Sequence, residues 1–225
     1  MTADFLRILF TVLLVMDPIG IVPQFLSVTA RYDKPTRNRV ILKAVLIAGV
    51  VLVVFLLAGK LLLDFFGIMP GAFYISGGIL FFLIAFQMIY SKPGNRSIPQ
   101  EPPLDSARSA GQENEGSPPS PADSHVSTAV FPLAIPLIAG PGLLTVIIMF
   151  VTAGPGWLYS VSLLFPAILI SLGVAFVVLR CSTLLLNFLG IMGIMIMEKI
   201  MGLILAGFAV QFIYNGLVEL GITGG

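Results

Sequence analysis

The chain has 225 residues, a mean hydropathy of +1.04, 57% hydrophobic residues and 10% charged ones, far below the roughly 25% charge of soluble domains. A net charge of +1 leaves no basic face for nucleic acid, and a single Cys181 with a single His125 excludes a disulfide framework or a Cys/His metal cluster. A water-soluble fold could not hide this much apolar surface, so the chain reads as an all-α polytopic membrane protein.

Apolar stretches fall at about 5–30, 40–63, 70–90, 129–153, 157–179 and 196–219, each near or above the ~20 residues that cross a bilayer. Six transmembrane helices are expected. The first stretch carries Asp4 and Arg7 and runs straight into Asp17-Pro18 without a small-residue cleavage site, which reads as a helix of the mature protein and not a signal peptide. Residues 91–127 hold seven of the sixteen prolines, with Ser, Glu and Asp but few large apolar residues, and read as a disordered linker. That linker divides the chain into a first unit, 1–90, and a second, 128–225.

Positive charge in the loops sets the expected orientation. Arg31, Lys34, Arg37, Arg39 and Lys43 follow the first stretch, Lys92, Arg96 and Arg108 lie in the linker, and Arg180 ends the fifth stretch. These share one side, taken as cytoplasmic, so both termini are expected outside. Trp157 then starts a helix on the outer side, where an interfacial aromatic belongs.

The two units are copies. An offset of 123 residues pairs Pro18 with Pro141, and pairs LLLDFFGIM (61–69) with LLLNFLGIM (184–192) at seven of nine positions. The same register pairs Val28-Thr29-Ala30 with Val151-Thr152-Ala153. After one inserted residue, Gly78, Gln87, Ile89 and Tyr90 meet Gly202, Gln211, Ile213 and Tyr214. Three spans per copy force the second to enter the bilayer upside down, giving two inverted three-helix repeats, an architecture of secondary transporters.

The first stretch contains LLVMDPIGIVPQFL and the fourth PLAIPLIAGPGLLTVI, so Pro18, Gly20 and Pro23 lie at the depth of Pro132, Pro136, Gly140, Pro141 and Gly142. Proline removes a backbone donor and pushes the preceding residue out of the helical region, so helices 1 and 4 are expected to break at mid-membrane. Unwound backbone at that depth requires protein or water to satisfy it, which implies a polar cavity. Half-helices starting after Pro18 and Pro141 offer free N–H groups to a carboxylate; the ends near Met16 and Ala139 offer carbonyls to an ammonium group or a cation. A small zwitterion suits both.

Asp17 is the acid nearest mid-membrane, and it fits two roles that can coexist: solute contact, or an N-cap before Pro18. Its counterpart is Gly140. Thr145, one turn into the second half-helix, can offer its hydroxyl to solute or bond its own backbone. Gln87 and Gln211 can line a pathway or bridge helices, with bridging preferred. Asp64 and Asn187 read as residues that cap or solvate the hairpin tips, Glu198-Lys199 as an adjacent interfacial pair, and Gly77, Gly78, Gly202 and Gly207 as sites of close helix packing.

MDPIG (16–20) and PLIAGPG (136–142), together with ISGGILFFLIAFQM (75–88), resemble the MarC family of bacterial inner-membrane proteins, also grouped as neutral amino acid transporters. The resemblance covers both repeats, and only the linker departs from it. It implies transport of small neutral amino acids of the glycine, alanine or serine type, coupled to an ion gradient of protons or sodium, with Asp17, Pro18, Gly20, Gly140, Pro141, Gly142 and Thr145 at the substrate. Export of other metabolites or drugs, and a non-transporting assembly subunit, stand as alternatives. An enzyme is not expected, because the spans contain no histidine and no carboxylate cluster for acid-base work. No cofactor is called for. The oligomeric state is not legible.

Overall fold

A computed structural model describes residues 2–30, 32–90 and 138–222. The linker at 91–127, Arg31, Pro132 and Pro136 lie outside the described residues, as does the start of the fourth apolar stretch. The described residues form seven helices: α1 (Thr2–Met16), α2 (Ile21–Val28), α3 (Lys34–Phe66), α4 (Pro70–Tyr90), α5 (Pro141–Ala153), α6 (Trp157–Arg180) and α7 (Ser182–Glu219).

Four of these are long and apolar enough to cross a membrane, and α1 with α2, bent by 42° at a short break, supplies a fifth candidate. The 33 residues of α3 rise about 50 Å, beyond the ~30 Å hydrocarbon layer, so both its ends reach the headgroups. By contrast α1, with 15 residues, and α5, with 13, each rise only about 20 Å. Neither crosses alone. Large apolar side chains such as Leu46, Val50 and Val54 on α3, Leu158 and Leu169 on α6 and Leu203 on α7 face outward, as a lipid surface requires.

The core is a dry contact of Val12, Phe25, Ala48, Leu52, Val146 and Leu164, through which α6 packs on both α1 and α3. The α4/α7 pair is closer. Small residues recur every seven positions on each helix, at 71, 78 and 85 and at 202, 209 and 216, so the antiparallel backbones nearly touch. A Cβ on Gly71 would come within 2.8 Å of the Gly216 carbonyl, one on Gly78 within 2.8 Å of the Ala209 carbonyl, and one on Gly202 within 3.2 Å of the Ala85 carbonyl.

Three expectations change. Gly207 approaches nothing, for a Cβ there would have open space. The tip residues Asp64 and Asn187 yield to their neighbours Gly67 and Gly190, which take positive φ of 65° and 66° and turn the chain where a side chain would be strained. Gly67 ends α3, and Gly190, 123 residues on, is non-helical and breaks α7, so LLLNFLGIM precedes the last apolar span, Met192–Glu219, as expected. Glu198 and Lys199 part company: Glu198 is buried, while the Lys199 ammonium donates to the Ile89 carbonyl and caps the end of α4.

The ends of the bundle differ in charge. Lys34, Arg37, Arg39 and Lys43 on the first turns of α3 and Arg180 at the end of α6 share one end, where Arg37 reaches Thr183 and Ser182 of α7 and stacks over Phe25 of α2 at 5.4 Å. The other end gathers the start of α1, the start of α6 with Trp157 45% exposed, and the end of α7.

Candidate substrate cavity

The chain between α1 and α2 breaks because Pro18 cannot continue the ladder and Asp17 turns it. The Asp17 amide still donates to the Leu13 carbonyl at 3.1 Å, but Asp17 itself adopts φ of 43°, a left-handed conformation that Asp tolerates better than most residues. Its Oδ1 then accepts the Gly20 amide at 3.1 Å, and its carbonyl accepts the Ile21 amide at 3.3 Å. The second half-helix therefore starts at Ile21 and not directly after Pro18. Asp17 caps it from upstream, and Gly20 is required because a Cβ there would overlap the Asp17 carboxylate.

The start of α5 has the expected form. Gly140 is extended, at φ −67° and ψ 162°, and Pro141 opens the helix at its first position. Leu143 and Leu144 amides both turn to the Gly140 carbonyl, at 3.0 and 3.3 Å. Here no carboxylate stands where Asp17 stands in the first half, since its counterpart is Gly140.

Both breaks open on one cavity of about 400 Å³, inside the ~300–1,000 Å³ range of small-molecule sites. Asp17, Gly20, Gly140, Pro141 and Gly142 line it. Pro18 and Thr145 do not. Pro18 is buried behind the turn, and the Thr145 hydroxyl is taken by the Pro141 carbonyl at 3.0 Å while its methyl and oxygen pack against Gly77. The α1 end contributes Val15 and Met16 to the wall.

Two glutamines join the lining. Gln87 of α4 faces the cavity, so the lining alternative describes it, whereas its counterpart Gln211 donates to Asn215 at 2.9 Å, one turn along α7. Gln24 was not singled out from the sequence. Its Oε1 is buried with no hydrogen-bond partner among the described residues, and it lines the cavity one turn into α2. The only signal was a polar residue between Pro23 and Phe25 in an apolar run. Phe81 closes one side of the cavity, its ring lying where a Cβ of Gly142 would be.

The cavity thus presents one carboxylate, two amides, a helix start with its positive dipole end and the carbonyl end of α1, within otherwise apolar walls. Such a set can hold a small solute bearing both an ammonium and a carboxylate group.

A second cavity, of about 500 Å³, lies at the opposite end of the bundle from the basic loops. Asp4, Arg7, Tyr74, Tyr159, Asn215 and Glu219 line it. The Tyr159 hydroxyl donates to Asp4 at 3.1 Å, and Tyr74 and Thr152 share a short hydrogen bond.

The family model described as MarC family integral membrane protein matches residues 2–220. A UPF0056 membrane protein of Methanocaldococcus jannaschii is 36% identical over 203 residues, covering 90% of each chain. The UPF0056 inner membrane protein YhgN of Escherichia coli K12 is 34% identical over 205 residues, 91% of each chain. A UPF0056 membrane protein of Aquifex aeolicus is 33% identical over 219 residues, 96% of this chain and 93% of its own. No solved structure matches.

Proposed function

Because the chain belongs to the MarC family of integral membrane proteins, and is itself a multi-pass membrane protein, we propose that it is a secondary transporter of small neutral amino acids, working by alternating access. The observation that carries this reading is the convergence of two helix breaks on one cavity, with a carboxylate at one break and an uncapped helix start at the other. A solute ammonium would face Asp17 and the carbonyl end of α1; its carboxylate would face the start of α5. Gln24 and Gln87 would complete the polar contacts. A proton or sodium ion would supply the driving gradient, and transport requires no chemical step on the solute.

The contacts between α4 and α7 are compatible with the reading of six spans in two inverted repeats. Under the register that pairs Gly78 with Gly202 and Ala85 with Ala209, a two-fold requires that Gly78 against Ala209 be mirrored by Ala85 against Gly202. Both contacts are present. The Thr29 hydroxyl donates to the Phe25 carbonyl and the Thr152 hydroxyl to the Ile148 carbonyl, 123 residues on. The basic end of the bundle supports a cytoplasmic assignment for that side, with the termini outside, in an inner membrane as for the E. coli relative.

Uptake of labelled glycine and alanine into proteoliposomes, with and without imposed proton and sodium gradients, tests the proposal. Saturable uptake that Gly142→Leu abolishes in a folded protein is the expected result. Asp17→Asn should fold, because asparagine keeps the acceptor for Gly20 and the left-handed conformation, yet should lose uptake with the charge. Absence of uptake of either amino acid under every gradient would sink the reading.

A further inference from the structure

The two cavities lie at opposite ends of the same four helices, α1, α4, α5 and α7, and a packed layer separates them. On α4 the inner cavity, the one at the helix breaks, takes residues from Leu80 onward and the outer one takes Tyr74. On α5 the inner cavity ends at Leu143 and the outer begins at Met149; on α7 the two are bounded by Leu205 and Tyr214. The layer between them is closely packed. Thr145, Val146, Ile147, Ala209 and Phe212 are all buried, and the one hydroxyl among them is satisfied within its own helix.

This layer has two kinds of contact. Gly77 against Thr145, and Gly78 against Ala209 and Ile213, bring main chain or the root of a side chain so near that no rotamer change can part them. The third contact is different. Phe81 lies over Gly142 and stacks on Phe212 with ring centroids 5.4 Å apart and an interplanar angle of 28°, and Phe208 backs Phe212 at 6.3 Å. Phe81 alone of these rings also lines the inner cavity, so its ring has space beside it into which it can turn.

We propose that the Phe81–Phe212 stack is the barrier that closes the substrate cavity on the side of the outer cavity, with Phe81 as its movable part. The proposal deepens the transport reading above and rests on it for its purpose. The register mates of Phe81 and Phe212 are Leu205 and Met88, which also line the inner cavity. If the repeats exchange conformations during the cycle, the Leu205–Met88 layer closes as the phenylalanine layer opens. The absence of any side chain at Gly142 is then what allows the ring to seal against the helix break.

Thiol accessibility reads the barrier without any substrate. In a Cys181→Ser background, Gln87→Cys supplies a thiol in the inner cavity, and a membrane-impermeant charged methanethiosulfonate is applied to one face of oriented vesicles at a time. With Phe81 present and no gradient imposed, labelling is expected to be much faster from the face that carries Arg37. With Phe81→Ala, protection from the face that carries Asp4 should be lost. Phe212→Ala should act in the same direction, and it carries the test if Phe81→Ala does not insert. Asn215→Cys, labelled from the Asp4 face, shows that reagent reaches the outer cavity. Equally fast labelling of Gln87→Cys from both faces with Phe81 intact, or no gain in rate from the Asp4 face in both alanine variants, would overturn the barrier. Failure of amino acid uptake would overturn the transport reading instead, and leaves the labelling pattern to be judged independently.

Discussion

Asp17 shows how one side chain can be both structural and available. Its Oδ1 holds the Gly20 amide, a hydrogen bond to a charged acceptor, which contributes about 1.5–3 kcal/mol when buried. A Cβ at residue 20 would collide with that carboxylate, so Gly20→Ala is expected to displace Asp17 and destabilise the folded protein by about 1–3 kcal/mol. A thermal-shift measurement in detergent checks this, and an unchanged midpoint would mean the carboxylate is not seated at the break. Thr145 illustrates the opposite outcome: a helical threonine more often bonds its own backbone than a solute, and burial against Gly77 goes with the backbone bond here. Gln24 escaped notice because nothing in an isolated apolar run tells which way one amide points.

At the scale of elements, the α4/α7 pair shows what glycine does in a membrane. Lipid offers no hydrophobic advantage to helix association, so contact must come from close packing of main chain. Heptad-spaced small residues provide it, and their alignment at Gly71/Gly216, Gly78/Ala209 and Ala85/Gly202 is in register over the described length. Gly78→Val should therefore cost about 1–3 kcal/mol through overpacking against the Ala209 carbonyl and Ile213, whereas Gly207→Val should be close to neutral. Detergent unfolding of the two variants side by side checks the contrast; equal midpoints would mean the helices do not meet along this line.

For the whole molecule, the distribution of charge predicts topology. Cysteines introduced singly at Asp33 and Ile222 in the Cys181→Ser background should react with impermeant thiol reagent from opposite faces of the cell membrane, Asp33 from the cytoplasmic face and Ile222 from outside. Reaction of both from one face would leave an even number of crossings between them and exclude the inverted arrangement.

Composition, hydropathy and loop charge were sufficient for the class of protein, because solvation by lipid acts on each segment independently of its neighbours. The repeat and the breaks at Pro18 and Pro141 were legible for the same reason: proline acts on its own backbone wherever it stands. Which side chains meet was not. That Gln24 and Gln87 share a cavity, and that Phe81 occupies the space left by Gly142, depends on contacts between residues far apart in the sequence. Only tertiary packing brings those residues together, since the spacing along one helix specifies a face but not the partner that face will find.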